Sequence, residues 1–229
     1  MGIRYFFSGF DKDADFTPEI ASLLHHDIKN PGKLVYIPTD FSLKEKIEMY
    51  SKGCTYHFEK IGLNFEAVIV LNENMPKEEM QRHIINANVV YLMGGNPISQ
   101  LQILENYNLT DLIISTNAVV MGVSAGAMCM SKYCLCLPVS EQYPVMDVRP
   151  GMNLSGISIY PHYNTGGVIV DVHDSGKERT RKSDILEANR KYGEFFLMSD
   201  DTAIREENGE LDFVGEGIIR VSNGSFSNV

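Results

Sequence analysis

Cysteine, positive charge and long apolar runs are all scarce in this 229-residue chain, and each scarcity removes a class of protein. Of four cysteines, Cys129, Cys134 and Cys136 crowd into one short stretch, which is no spaced disulfide framework. Reduced thiols packed as small buried side chains are expected. The C-x4-C-x-C spacing has no second Cys or His pair at the usual interval, so no metal site is expected either. Lys and Arg number 20 against 30 Asp and Glu, a formal charge of −10 that repels phosphate backbones and anionic lipid. Nucleic acid and membrane surfaces are not expected partners. No apolar run approaches the roughly 18 residues of a membrane span, and Met1–Phe7 turns polar by Ser8 without a leader-length apolar stretch. A cytoplasmic enzyme or binding protein remains.

The chain also lacks internal repeats, long linkers and low-complexity segments. With 44% hydrophobic and 22% charged residues it has the composition of an ordinary globular protein, and residues 1–229 are expected to form a single α/β domain. Short apolar runs alternate with helical patterns, the signature of parallel strands joined by crossovers. Strands are expected at Ile3–Phe7, Leu34–Pro38, Ala67–Leu71, Val89–Met93 and Ala118–Val123. Helices are expected from Thr17-Pro18 to His26, from Phe41 to a stop at Gly53, and over Lys77–Ile85, Ile98–Asn106 and Thr180–Lys191. From Leu135 to Tyr163 the texture is rich in Pro, Gly and Ser with short β-like pieces. The tail from Glu194 reads as hairpins, because Asn208-Gly209 is a strong two-residue turn signal. The fold class is therefore α/β, a doubly wound, mostly parallel sheet with β-hairpins at its C-terminal end.

Gly122-Val123-Ser124-Ala125-Gly126 matches G-x-S-x-G at a strand-to-helix junction. Glycines on both flanks remove side chains that would collide in so sharp a turn, and the hydroxyl is pushed out at the carboxyl edge of the sheet. The amide of Ala125, at the positive end of the helix that begins there, is placed to stabilise an oxyanion. Gly94-Gly95-Asn96 ends another strand at the same edge, and Gly95 is the candidate second amide; it fits neither a P-loop nor G-x-G-x-x-G. A serine needs a base. His162 stands out among the six histidines because Tyr160-Pro161-His162-Tyr163 ends a β-like run, with His173 in reserve. An acid must orient the imidazole, and Asp200-Asp201 is the most concentrated acidic pair at a strand end, with Glu141 and Asp147 weaker.

Taken together, Gly-Val-Ser124-Ala-Gly-Ala, Tyr-Leu-Met-Gly-Gly-Asn followed by Gln100-Leu101, Pro161-His162-Tyr163 and Asp-Asp-Thr-Ala-Ile resemble the aspartyl dipeptidase (peptidase E) and cyanophycinase family of serine peptidases, over nearly the whole chain and in order. The resemblance implies a flavodoxin-like three-layer fold similar to class I glutamine amidotransferases. It also implies a Ser-His-acid triad of Ser124, His162 and Asp201, an oxyanion hole from Gly95 and Ala125, and no metal or organic cofactor. Asp201 stands where the family usually has glutamate, so Asp200, Glu141 or Ser140 stay open for the third role. Lys177–Lys182 is similar to the Arg-containing stretch with which the dipeptidases read an N-terminal aspartate, which points to Arg179 and Arg181 as substrate-binding residues. A short peptide, with an acidic residue at the cleaved bond, is the expected substrate. Lys132–Pro150 looks longer than the dipeptidase pattern. An amide or isopeptide hydrolase of the same fold and a non-catalytic binding module holding a flavin or phosphate stay as alternatives, and so does a homodimer.

Overall fold

The computed structural model describes residues 2–10, 15–138, 145–163 and 182–229. Five strands run parallel, β1 (Arg4–Phe7), β2 (Lys33–Ile37), β3 (Ala67–Val70), β4 (Val89–Leu92) and β5 (Val119–Val123), and an antiparallel hairpin of β10 (Ala203–Glu207) and β11 (Glu210–Val214) joins them in the order β11-β10-β1-β5-β4-β2-β3. Each central strand is apolar on both faces, as a sheet covered on both sides requires. Tyr5, Phe7, Tyr91 and Met121 face one core with α1 (Pro18–Asp27) and α2 (Lys44–Lys60). Phe6, Val90, Leu92 and Val120 face the other with α3 (Lys77–Ile85), α4 (Pro97–Asn106), α5 (Thr110–Ser115) and α6 (Ala125–Met130).

A second sheet of four strands has the order β13-β12-β9-β8, from β8 (Ile159–Tyr160), β9 (Phe195–Met198), β12 (Ile218–Ser222) and β13 (Ser225–Asn228). With α7 (Lys182–Tyr192) and the ribbon of β6 (Tyr133–Cys136) and β7 (Asp147–Pro150) it encloses a smaller core around Leu135, Ile185 and Leu197. β8 and β9 run parallel, so both deliver their carboxyl ends to one place. The two sheets are consecutive in sequence at residues 199–202, between β9 and β10.

The expected α/β architecture is present, and both hairpin turns have positive φ at both central residues, Asn208-Gly209 (54° and 88°) and Asn223-Gly224 (50° and 75°), the conformation that keeps twisted strands paired. One expectation fails. Helix α2 does not stop at Gly53 but runs on to Lys60, because Cys54 and Phe58 continue the face that Ile47 and Tyr50 lay on the core. Glycine in a helix interior costs about 0.5–1 kcal/mol, less than burying Phe58 gains. A Cβ at Gly53 would touch nothing within 4 Å, whereas one at Gly126 would lie 2.1 Å from the Leu92 carbonyl oxygen. Gly53→Ala is therefore expected to stabilise the protein by about 0.5–1 kcal/mol, and Gly126→Ala to destabilise it by about 3 kcal/mol; urea midpoints at constant slope would show the opposite signs.

The hairpin is tied to α1 by a buried ion pair. Arg205, 7% exposed, donates to Asp27 through Nε at 2.6 Å and Nη2 at 3.0 Å, and Asp27 also accepts from Tyr5. Burial alone would raise the Asp27 carboxyl, but hydrogen bonds from Arg205, Tyr5 and His26 outweigh it and hold the group below its ordinary range. The four cysteines are unpaired. Among the described residues no helix is long and apolar enough to cross a membrane, and no group of three or more His, Cys, Asp or Glu could hold a metal ion.

Candidate active site

Register in the large sheet decides which loops meet. Phe7 pairs with Val123 and Leu92 with Gly122, so the residues just past β1, β5 and β4 emerge side by side: Ser8-Gly9, Ser124 and Gly94-Gly95. The crevice outside the carboxyl ends of such strands is where doubly wound folds bind their ligands.

Ser124 turns directly from β5 into α6 with φ 52° and ψ −111°, a conformation that costs about 1–3 kcal/mol for a residue with a Cβ. Its N–H donates to the Phe7 carbonyl at 2.9 Å, which anchors the bend to β1. Both flanking glycines are demanded by close packing. A Cβ at Gly122 would sit 2.5 Å from the Gly126 carbonyl carbon, and one at Gly126 would overlap β4. Ala125, the residue after the serine, is buried.

The Gly94-Gly95 loop lies against this bend. A Cβ at Gly94 would fall 3.6 Å from that of Ser124, and Gly95, at φ 141°, would drive a Cβ to 2.2 Å from Thr39 Oγ1. Asn96 caps α4 by accepting from the N–H groups of Ile98 and Ser99. Buried Gln100 donates from Nε2 to the carbonyls of Ile37 at 2.9 Å and Met93 at 3.2 Å, clamping the ends of β2 and β4 beneath the loop.

The small sheet supplies the other half. Tyr160 of β8 pairs with Leu197 of β9, so the residues beyond them run on side by side. His162 Nε2 lies 2.8 Å from Ser124 Oγ, and His162 Nδ1 lies 2.7 Å from Asp200 Oδ1. The carboxylate on the imidazole is thus that of Asp200, the neighbour of the expected Asp201 and one of the acids left open for the third role. Asp201 takes φ 62° and gives its backbone N–H to the Gly9 carbonyl, so the chain reverses there and the side chain that follows β9 onto the ring belongs to residue 200. Ser124, His162 and Asp201 all have positive φ, while every other described non-glycine residue that does so is Asn, which tolerates the conformation.

Sequence reasoning missed Ser8 and Gly9. Ser8 is fully buried, and a Cβ at Gly9 would lie 2.5 Å from Asp200 Oδ1 and 2.7 Å from His162 Cε1. Only their place at the end of an apolar strand hinted at them. Ser140, Glu141, His173, Arg179 and Arg181 lie outside the described residues. Asp147 is on β7, paired with Arg149.

A model of peptidase family S51 matches residues 7–214, which takes in every side chain just described. The chain belongs to peptidase family S51. It is a serine-type peptidase. No curated protein matches it. Solved structures that share its fold include a peptidase from an acI-B1 actinobacterium, at TM-score 0.64 and 16% identity over 100% of this chain and 97% of that one, and a putative peptidase E protein from Listeria monocytogenes EGD-e, at TM-score 0.59 and 20% identity over 97% of this chain and 98% of that one. These identities speak for the fold of this peptidase alone.

Proposed function

We propose that this peptidase hydrolyses short peptides through a triad of Ser124, His162 and Asp200, with an acidic residue at the cleaved bond. The observation that carries the reading is the continuous chain Ser124 Oγ, His162 Nε2, His162 Nδ1, Asp200 Oδ1 at 2.8 and 2.7 Å, built on a bend that holds the hydroxyl at the edge of the sheet. Asp200 accepts from Nδ1–H and so leaves Nε2 free to accept the serine proton. As Ser124 Oγ bonds to the scissile carbonyl carbon, its proton passes to Nε2 and the carbonyl oxygen becomes an oxyanion. Amides of Ala125 and Gly95 are the proposed donors to it. Imidazolium then gives the proton to the leaving amine as the C–N bond breaks, and water repeats the sequence on the acyl-enzyme with His162 again as base.

The acidic preference rests on the cation-rich run Lys177–Lys182 and on the resemblance to the aspartyl dipeptidases. Arg179 or Arg181 would hold the substrate carboxylate through paired hydrogen bonds. Four unpaired thiols suit a reducing cytoplasm. The test is a dipeptide panel of Asp-X, Ala-X and β-aspartyl-X. An Asp-X preference of about 10- to 100-fold in kcat/KM, the size of a charge-assisted hydrogen bond, is expected, and it should collapse in Arg179→Met or Arg181→Met. Equal turnover of Asp-X and Ala-X would remove the acidic preference, and exclusive cleavage of β-aspartyl-X would make the protein an isopeptidase.

A further inference from the structure

The proposed triad is assembled from two different sheets. Ser124 follows β5 of the seven-stranded sheet, whereas His162 and Asp200 follow β8 and β9 of the four-stranded one. Distances between groups on separate sheets are not fixed by either ladder, so something must set the gap between the hydroxyl and the imidazole to hydrogen-bond length.

Ser8 sits at that seam. It is the first residue past β1, the strand next to β5, and the Phe7 carbonyl just before it holds the Ser124 N–H. From this position its side chain reaches into the other sheet. Ser8 Oγ accepts from the backbone N–H of His162 at 2.8 Å and donates to the Met198 carbonyl at 2.9 Å. Asp200 Oδ1, the same oxygen that holds His162 Nδ1, lies 3.3 Å from the hydroxyl. The single hydroxyl proton is therefore shared between the end of β9 and the carboxylate. The Ser8 backbone adds an N–H to the Thr202 carbonyl at 3.3 Å. No other described side chain hydrogen-bonds to both the backbone of the base and the carboxylate that orients it.

We infer that Ser8 is a positioning residue for catalysis: it stitches the His162–Asp200 pair to the strand that carries the nucleophile's neighbour and so sets the Ser124–His162 distance. The inference rests on the triad reading given above. His162 has positive φ, and its N–H donates to Ser8 Oγ at 2.8 Å in that conformation. Ser8→Ala removes the Ser8 contacts to the His162 N–H and to the carboxylate, and the imidazole drifts from Ser124. Misplacement of about 1 Å at a reacting group costs about 100-fold. Gly9 makes the seam tight, since any side chain there would push on both members of the pair.

The test uses the full chain and a fluorophosphonate probe, whose reaction with Ser124 separates binding (KI) from bond formation (kinact). Ser8→Ala is expected to lower kinact by about 10- to 100-fold with KI unchanged, measured well below its unfolding temperature and scaled to folded protein. Ser8→Cys, which keeps a weaker donor and acceptor in nearly the same volume, should recover part of the loss and serves as the variant to read if Ser8→Ala does not fold. In an Asp200→Asn background the same Ser8 change should cost less than about threefold, because residues acting as a unit are not additive. Wild-type kinact in Ser8→Ala, a loss confined to KI, or full additivity with Asp200→Asn would overturn the inference while leaving the triad standing. Labelling that persists in Ser124→Ala would overturn the triad itself.

Discussion

Ser124→Ala is expected to lower peptide hydrolysis by about 10⁴- to 10⁶-fold while leaving the unfolding midpoint within about 0.5 kcal/mol of the parent. The size follows from what is lost. In the proposed mechanism no acyl-enzyme forms without the hydroxyl, and only substrate binding and the amides proposed for the oxyanion remain to accelerate attack by water. The fold should not notice, because the bend is held by the Ser124 N–H to the Phe7 carbonyl and by the glycines at 122 and 126, none of which depends on the hydroxyl. Alanine has the same Cβ and inherits the same backbone strain. Steady-state rates on the best dipeptide of the panel, with fluorophosphonate labelling and mapping of the modified peptide, measure the loss. A variant that kept a tenth of the parent rate would end the assignment.

The second large effect distinguishes two adjacent acids. Asp200→Asn is expected to reduce kcat by about 10³- to 10⁴-fold, because an amide can donate to His162 Nδ1 and so favours the tautomer with the proton on Nε2, the atom that must accept from Ser124. The geometry would survive and the chemistry would not. Asp201→Asn should stay within about fivefold of the parent, since asparagine tolerates the positive φ at that position and the backbone N–H to Gly9 is kept. The readout is kcat for both variants on one substrate. Equal losses, or a larger loss at 201, would return the acid to the position that the family resemblance implied.

The difference between 200 and 201 shows what a sequence can and cannot carry. The bend at Ser124 was legible because its signals are local: an apolar strand, two glycines and a helix start lie within a few residues of one another. The place of His162 just past a strand was legible through Pro161 and the β-like run before it. Which of two neighbouring aspartates meets the ring depends on the parallel pairing of β8 with β9 and on the reversal at Asp201, both set by residues far away in sequence. Ser8 and Gly9 bear no motif at all. Their importance appears only once β1 is known to lie between β5 and β10, with the end of β9 close by. In the periphery, Asn223-Gly224 makes the same turn as Asn208-Gly209 and was readable by the same rule. The overrun of α2 past Gly53 was not, because glycine's weak helix propensity gave way to the tertiary contact of Phe58.

The turn at residues 199–202 sits between two sheets, and this has a bearing on synthesis. A ribosome releases the hydroxyl-bearing bend of Ser124 well before it has made Asp200, and β12, which pairs with β9, comes later still. Until those strands emerge, the growing polypeptide holds a serine with no oriented base. Under the triad proposed above, the three groups therefore come together only as the last sheet closes.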